Sequence, residues 1–445
     1  MLLHIIAAAI TPPFDVEIAS RAYLDTLQGA ARAKSDAYFE GGYWLTLWSA
    51  GVAMLSYWVM LRTGWSAKWR DLAERITRWR FVQALLYALP VGIIGALLTL
   101  PWMIYEDYVR EQQYGLMNQS PGEWAVEQSI VLGVNTLIFA LIFALVVAVV
   151  FALIRWSPRR WWLWSAGAVT LLLAVFVMVT PVFISPLLNT YKPMAAGSMR
   201  DQLLAMAHAN HIPTDNVTVF DASKQSKRVS ANVSGLGPTI RISLNDNLLN
   251  RASPAGVKAV MGHEMGHYVL NHVPWIIAQF AVLLLAVMFA LWWSVPRLIA
   301  RFGGQWGVSG VTDLAAVPAY MLIVTLIFLV ATPVTNTLIR RHEAQADAFG
   351  LDASRAPDGF AEGAMQLSEY RKLEPGPIEE ALFYDHPSGS ERVHRAMAWK
   401  AAHLAQLPID QRGVVRPLPA PLPDRASSMP GKASAAPAAA SSDQR

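Results

Sequence analysis

Six stretches of the chain, about residues 43–62, 81–104, 130–154, 161–187, 274–299 and 313–338, are apolar almost without interruption. A bilayer core of roughly 30 Å takes about 20 helical residues to cross, so each stretch predicts a transmembrane helix. Aromatic residues stand at many of their ends, among them Tyr43, Trp44, Trp102, Tyr105, Trp156, Trp161, Trp162 and Trp275, where amphipathic rings settle at headgroup level. Buried helices of a soluble protein would not repeat such runs so often. Between the fourth and fifth runs the period changes. MRDQLLAMAHAN (199–210) is helical in period, while NVTVFDA (216–222), RVSANVSG (228–235) and TIRISL (239–244) read as short strands, the last two joined by a Gly-Leu-Gly-Pro turn.

These changes divide the chain into an amino-terminal interfacial segment (1–42), a four-span membrane region (43–189), an α/β region (190–273), a two-span region (274–338), a helical region (339–404) broken by a loop at EPGPIEE, and a tail (405–445). The opening MLLHIIAAAITPPF is apolar but short, lacks a basic n-region and meets Pro12 and Pro13, which suits an interfacial segment or a degenerate signal better than a span, with a cleaved leader as the alternative. The tail is rich in Pro, Ala and Ser without an apolar period, the composition of a disordered segment. The expected fold is therefore mainly α, a polytopic membrane protein of about six spans with a small α/β domain. Its first partner is the lipid bilayer.

Composition agrees: 54% of residues are hydrophobic and 15% charged, with a mean hydropathy of +0.32. The absence of cysteine excludes disulfides, thiolate zinc sites and cysteine nucleophiles, so a metal must be held by histidine and carboxylate. A net charge of +4 and a pI near 9.2 do not point to nucleic acid, because the basic residues gather beside the apolar runs. No nucleic-acid partner is expected.

The chemistry lies at 260–275, VMGHEMGHYVLNHVPW, immediately before the fifth run. Ser253-Pro254 is a good helix start, since the hydroxyl can cap a free amide and proline loses nothing at the first helical position. On that helix His263 and His267 share a face at four-residue spacing and can meet one Zn²⁺, with Glu264 beside them to take a proton from water. Such a metal needs a further protein ligand and an open position. After the sixth run, TNTLIRRHEAQADAFG (335–350) offers Glu343 as that ligand and Asp347, one turn on, to reach a ligating imidazole from behind. The bland alternative is a charged juxtamembrane face. His342 and His272 compete as ligands. Neighbouring residues on a helix point about 100° apart, so His342 does not share Glu343's direction, and His272, five past His267, faces elsewhere. Both are assigned to packing or to the interface.

His263-Glu264-Met265-Gly266-His267 with Glu343-Ala344-Gln345-Ala346-Asp347 resembles the type I CaaX prenyl endopeptidase family and its bacterial relatives, integral membrane zinc metalloproteases. EQQYGLMNQSP (111–121), ISPLLN (184–189) and YDHPSGSERV (384–393) are similar to further motifs of that family, in the same order. The resemblance spans roughly 40–400. It implies a helical membrane shell around a water-filled chamber with a small α/β gluzincin-like zinc peptidase domain at one mouth. Carried over residue by residue, it makes His263, His267 and Glu343 the ligands of one Zn²⁺ per chain, Glu264 the general base and Asp347 the group that orients a ligand. His386 and Arg392 would steady the oxyanion and shape the groove, and Asn232 would hold the substrate backbone. The family has seven spans, whereas this chain shows six.

The function these readings support is zinc-dependent endoproteolysis of membrane-associated, hydrophobic or prenylated peptides and proteins. The alternative is a transporter or scaffold with a structural zinc, although such sites are usually closed by four ligands, often cysteines. The expected location is the inner or plasma membrane of a bacterium. For orientation, Arg62, Lys68, Arg70, Arg75, Arg78, Arg80, Arg155, Arg159, Arg160, Arg297 and Arg301 fall in loops on one side, which the positive-inside rule makes cytoplasmic, leaving the zinc site outside. The family resemblance implies a cytosolic site instead.

Overall fold

The computed structural model describes residues 14–413 apart from 236 and 369. The expectations for residues 1–13 and for 414–445 therefore lie outside the described residues. Helix α1 (Val16–Leu24) is followed by α2 (Gly29–Arg62), α3 (Trp65–Ile76) and α4 (Arg80–Ile104), which continues through a π-helical turn into α5 (Arg110–Gln113). Next come α6 (Pro121–Trp156), α7 (Trp161–Val179) and, after another π turn, α8 (Ser185–Leu188). Six helical stretches are long and apolar enough to cross a membrane: Gly29–Arg62, Arg80–Gln113, Pro121–Trp156, Trp161–Leu187, His272–Trp306 and Leu314–Ser354. Trp48, Leu97, Leu137, Leu171, Val282 and Val330 point outward from them and are largely exposed, a surface that only lipid can cover.

The polar insertion follows α8. Strand β1 (Tyr191–Pro193), helix α9 (Ser198–Ala209) and strands β2 (Val217–Phe220), β3 (Ala231–Ser234) and β4 (Arg241–Asn245) lead to α10 (Asp246–Arg251) and α11 (Pro254–Val269). The sheet order is β1-β2-β4-β3, with β2 and β4 parallel and both outer pairings antiparallel. Sequence alternation found three of these strands; β1 is too short to show a period. Leu203, Met206 and Ala207 of α9, Ile242 and Leu244 of β4, and Val257, Met261 and Met265 of α11 form the core beneath the sheet. Helices α12 (His272–Trp306), α13 (Val317–Ser354), α14 (Pro357–Leu367), α15 (Pro377–Phe383) and α16 (Gly389–Ala402) complete the chain.

Three sequence boundaries fall inside continuous helices, one of them 273/274, two residues into α12. α2 runs unbroken across 42/43, and α13 passes from its apolar half into the helical region without interruption at 338/339. Helix α1, within the segment expected to be interfacial, packs Ala19, Tyr23 and Leu24 against Phe360, Ala364, Val393 and Met397 of α14 and α16. Residues 405–413, the start of the expected tail, include short 3₁₀ turns at Leu404–Gln406 and Ile409–Gln411, and the Gly413 carbonyl accepts from Lys400 at 2.9 Å.

Burial in the membrane bundle is uneven along its length. Far from the polar insertion, Met60, Tyr87, Phe151, Trp161, Val295, Trp306 and Tyr320 belong to one core. Nearer to it, among the described residues, α6 buries Trp124 and then nothing before Ala140, and α12 buries His272 and then nothing before Val287. Along those stretches the two helices bury few side chains. Polar groups face one another at this depth: Trp102 Nε1 donates to Ser49 Oγ at 2.8 Å, and Ser49 Oγ donates to Glu106 Oε2 at 3.1 Å. The loop before α6 fastens the bundle to the insertion. Met117 bridges Ser226, Asn118 donates to the Gln225 and Ser223 carbonyls, and Arg228 binds both Glu111 oxygens at 3.0 Å.

Candidate metal centre

Two helices build the site. Ser253 caps α11 by accepting from the Gly256 amide at 3.0 Å, with Pro254 at the first position, as the sequence predicts. α11 then crosses α13 with almost no side chains between their backbones. A Cβ built on Gly262 would lie 2.8 Å from the Gly350 oxygen, and one built on Gly350 would lie 2.7 Å from the His263 nitrogen. Only glycine admits this approach, and it brings Glu343 of α13 to the histidine face of α11.

His263 Nε2 lies 3.1 Å from His267 Nε2 and 3.1 Å from Glu343 Oε2, and His267 Nε2 lies 3.4 Å from Glu343 Oε1. One donor atom from each of the three side chains falls within 4.8 Å of the others. Ligand bonds of about 2.0–2.1 Å in a tetrahedron imply donor separations of about 3.3 Å, which these distances match. Glu343 Oε2 is buried and has no hydrogen-bond partner. An orphaned carboxylate oxygen facing two imidazole nitrogens is costly unless a cation completes the cluster, so these residues fit a divalent metal.

Behind His263, Nδ1 donates to Asp347 Oδ1 at 2.8 Å, leaving the lone pair of Nε2 aimed into the cluster. Asp347 is wholly buried and is itself gripped by Arg392, through Nε at 3.1 Å and Nη2 at 2.6 Å, and by Arg395 Nη1 at 2.9 Å. Burial alone would lower the His263 pKa, but the bond to Asp347 and the adjacent Glu343 carboxylate prevail and raise it to about 9 in the metal-free protein. Glu264 is half-buried on the same helix; burial pushes its carboxyl above the usual range, against the pull of His263 and His267.

The remaining sequence candidates are placed differently. His386 sits at the cluster's edge, Nε2 3.2 Å from Glu343 Oε2 and Nδ1 2.8 Å from Asp385 Oδ1. Arg392, expected beside His386 at the oxyanion, instead turns its fork onto Asp347 and is buried there, because that carboxylate is the nearest uncompensated charge. Asn232 lies on β3, an edge strand that packs on α11, with Oδ1 accepting from Ser234 Oγ at 3.0 Å. His272, assigned by its spacing to packing, has Nδ1 3.0 Å from His267 Nδ1, and His342 Nε2 lies 3.1 Å from Gln279 Oε1. Arg395 escaped sequence reading, although it stands one turn from the glutamate that also holds it, at 391.

The model for peptidase family M48 matches residues 193–400, and the model described as CAAX prenyl protease N-terminal, five membrane helices, matches residues 20–190. Together the two matches run from 20 to 400. The chain is 28% identical over 345 residues to the uncharacterized metalloprotease YhfN of Bacillus subtilis, covering 76% of this chain and 79% of that one. It is 26% identical over 374 residues to the human CAAX prenyl protease 1 homolog, covering 72% and 75%. The crystal structure of S. mikatae Ste24p shares its fold, with a TM-score of 0.67 at 20% identity over 86% of this chain and 94% of that one. Where the amino-terminal family model describes five membrane helices, residues 20–190 here hold four candidate spans. The chain is an integral membrane metalloprotease, with peptides as substrates and a metal ion as cofactor. A non-catalytic scaffold is set aside by these matches.

Proposed function

We propose that this membrane metalloprotease holds one Zn²⁺ through His263, His267 and Glu343 and cleaves peptides that lie on or emerge from the bilayer. The observation that carries this reading is the buried, unpartnered Glu343 oxygen facing two imidazole nitrogens at ligand spacing. When bound, zinc polarises a scissile carbonyl and makes water acidic enough to attack near neutral pH. Glu264 takes the proton from the attacking water and returns it to the leaving amine; its raised pKa suits both tasks. Asp347 fixes the tautomer of His263, and Arg392 with Arg395 keeps Asp347 ionised. His386, with Nδ1 donating to Asp385 at the cluster's edge, donates from Nε2 to the developing oxyanion when both its nitrogens are protonated, a contribution of about 2.7–4 kcal/mol for a donor of this kind. Asn232 and the free edge of β3 receive the extended substrate backbone.

Prenylated carboxyl-terminal peptides are the substrates that the family resemblance and the names of the relatives point to. The basic loops at the far end of the bundle support a cytoplasmic location for that end and the opposite face for the metal centre, in the inner or plasma membrane of a bacterial host. In detergent, purified protein is expected to cleave a tagged prenyl-peptide faster than an unmodified hydrophobic one, to lose activity to a chelator and to regain it with zinc. Glu264→Gln should keep one zinc per chain without turnover. Wild-type rates in a zinc-loaded Glu264→Gln protein would remove Glu264 from its role.

A further inference from the structure

A continuous helix would carry His272 roughly 140° around from His267. The chain does otherwise. α11 ends at Val269, Asn271 adopts a left-handed conformation at φ 57°, and α12 begins at once with His272. Asparagine tolerates that conformation better than other residues with a Cβ. The break turns the imidazole of His272 back toward His267, so that the two Nδ1 atoms stand 3.0 Å apart, while His272 Nε2 lies 3.2 Å from Gln345 Oε1. His272 is 1% exposed.

Hydrogen-bond chemistry gives this chain of groups one direction. His267 presents Nε2 to the cluster, so its proton must sit on Nδ1, which donates to His272. His272 then accepts at Nδ1 and carries its own proton on Nε2, which donates to Gln345. The Gln345 amide oxygen can only accept, so it closes the series. We infer that His272 is a positioning residue for His267 and that Gln345 sets the tautomer of His272. The two imidazoles of the cluster are thus secured by different means: His263 by a buried carboxylate, His267 by a neutral histidine backed by an amide. This assignment rests on His267 being a metal ligand.

The test uses full-length protein in detergent and reads zinc affinity by competition with a chromogenic chelator, alongside the melting temperature of the metal-free form and the visible spectrum of the Co²⁺-loaded form. His272→Leu keeps the bulk and removes the acceptor. His272→Asn offers an amide oxygen close to the position of Nδ1. Outer partners of this kind are worth about 10–100-fold in metal affinity, so His272→Leu is expected to bind zinc about 10–100-fold more weakly with a changed Co²⁺ spectrum and an unchanged metal-free melting temperature. His272→Asn should recover most of that loss, and Gln345→Leu should weaken binding in the same direction by less. Equal zinc affinity in His272→Leu and wild type overturns the inference, as does equal weakening in the Leu and Asn variants. If His272→Leu does not fold, the Asn and Gln345→Leu proteins decide between the same outcomes. Failure of the wild type itself to bind zinc would overturn the ligand assignment as well, a result distinct from these.

Discussion

Gly350→Ala tests whether the crossing of α11 and α13 sets the metal geometry. The new methyl carbon would meet the His263 nitrogen at 2.7 Å, its Cα at 2.9 Å and the Gly262 carbonyl carbon at 3.1 Å, where ordinary contact begins at 3.4 Å. All three are backbone atoms, so no side chain can swing aside and the helices must part by roughly 0.7 Å, the shortfall at the tightest contact. Overpacking of this kind costs about 1–3 kcal/mol. Alanine gains back about 0.8–1 kcal/mol over glycine within a helix. The net loss of stability is therefore about 0–2 kcal/mol, too little to unfold the protein. The site is far less tolerant, since the shift separates the helix carrying His263 and His267 from the one carrying Glu343, and a displacement of about 1 Å can cost 10²-fold in rate. The expected outcome is a fall of about 10–100-fold in kcat/KM and weaker zinc retention against a chelator, with melting lowered by only a few degrees. Gly304→Ala is the control, since nothing lies within 4 Å of a Cβ at that position. If Gly350→Ala keeps wild-type kcat/KM and zinc affinity, the crossing does not set the ligand geometry.

Other outcomes follow from the same geometry. Arg392→Ala leaves buried Asp347 with Arg395 as its remaining cation and is expected to cost about 3–5 kcal/mol of stability in a denaturant titration; Arg392→Lys should recover part of this, lacking the fork. In the metal-free protein, His263 is raised from 6.5 to about 9, so its contribution to stability is fully present below pH 6.5 and is lost as pH rises through 9. Melting of chelated protein across that window should show the loss, and His263→Gln should flatten it. Because zinc must displace the same proton, apparent zinc affinity should rise with pH up to about 9. The chain has no cysteine, so single cysteines placed at Ser157 and Gly197 can be labelled one at a time in intact cells; an impermeant reagent is expected to reach Gly197→Cys and not Ser157→Cys.

Much of the architecture was legible in the apolar runs because a bilayer demands a length and a composition that soluble helices rarely repeat. The pairing of His263 and His267 was legible because their spacing lies within one helix. Glu343 was legible only by combining two distant motifs, and nothing in periodicity says that Gly262 and Gly350 let the two helices touch. His272 is a buried residue outside the ligand cluster, as its spacing suggests, but its direction differs because Asn271 breaks the helical phase. Arg392 was read as facing substrate because spacing says nothing about which buried carboxylate a guanidinium will neutralise. The start of α2 at Gly29 was hidden by the polar composition of its first turns, which pack on protein and not on lipid.

α12 continues from the helix of His263 and His267 across the break at Asn271, and α13 carries Glu343, so the distances among the donor atoms depend on how these two rods lean. Lean in turn answers to the thickness of the surrounding lipid, since an apolar helix that is too long for its membrane tilts. The enzyme in vesicles is thereby sensitive to acyl-chain length: proteolysis should peak at one chain length and fall on either side, while detergent micelles, which adapt to the protein, should hide the effect.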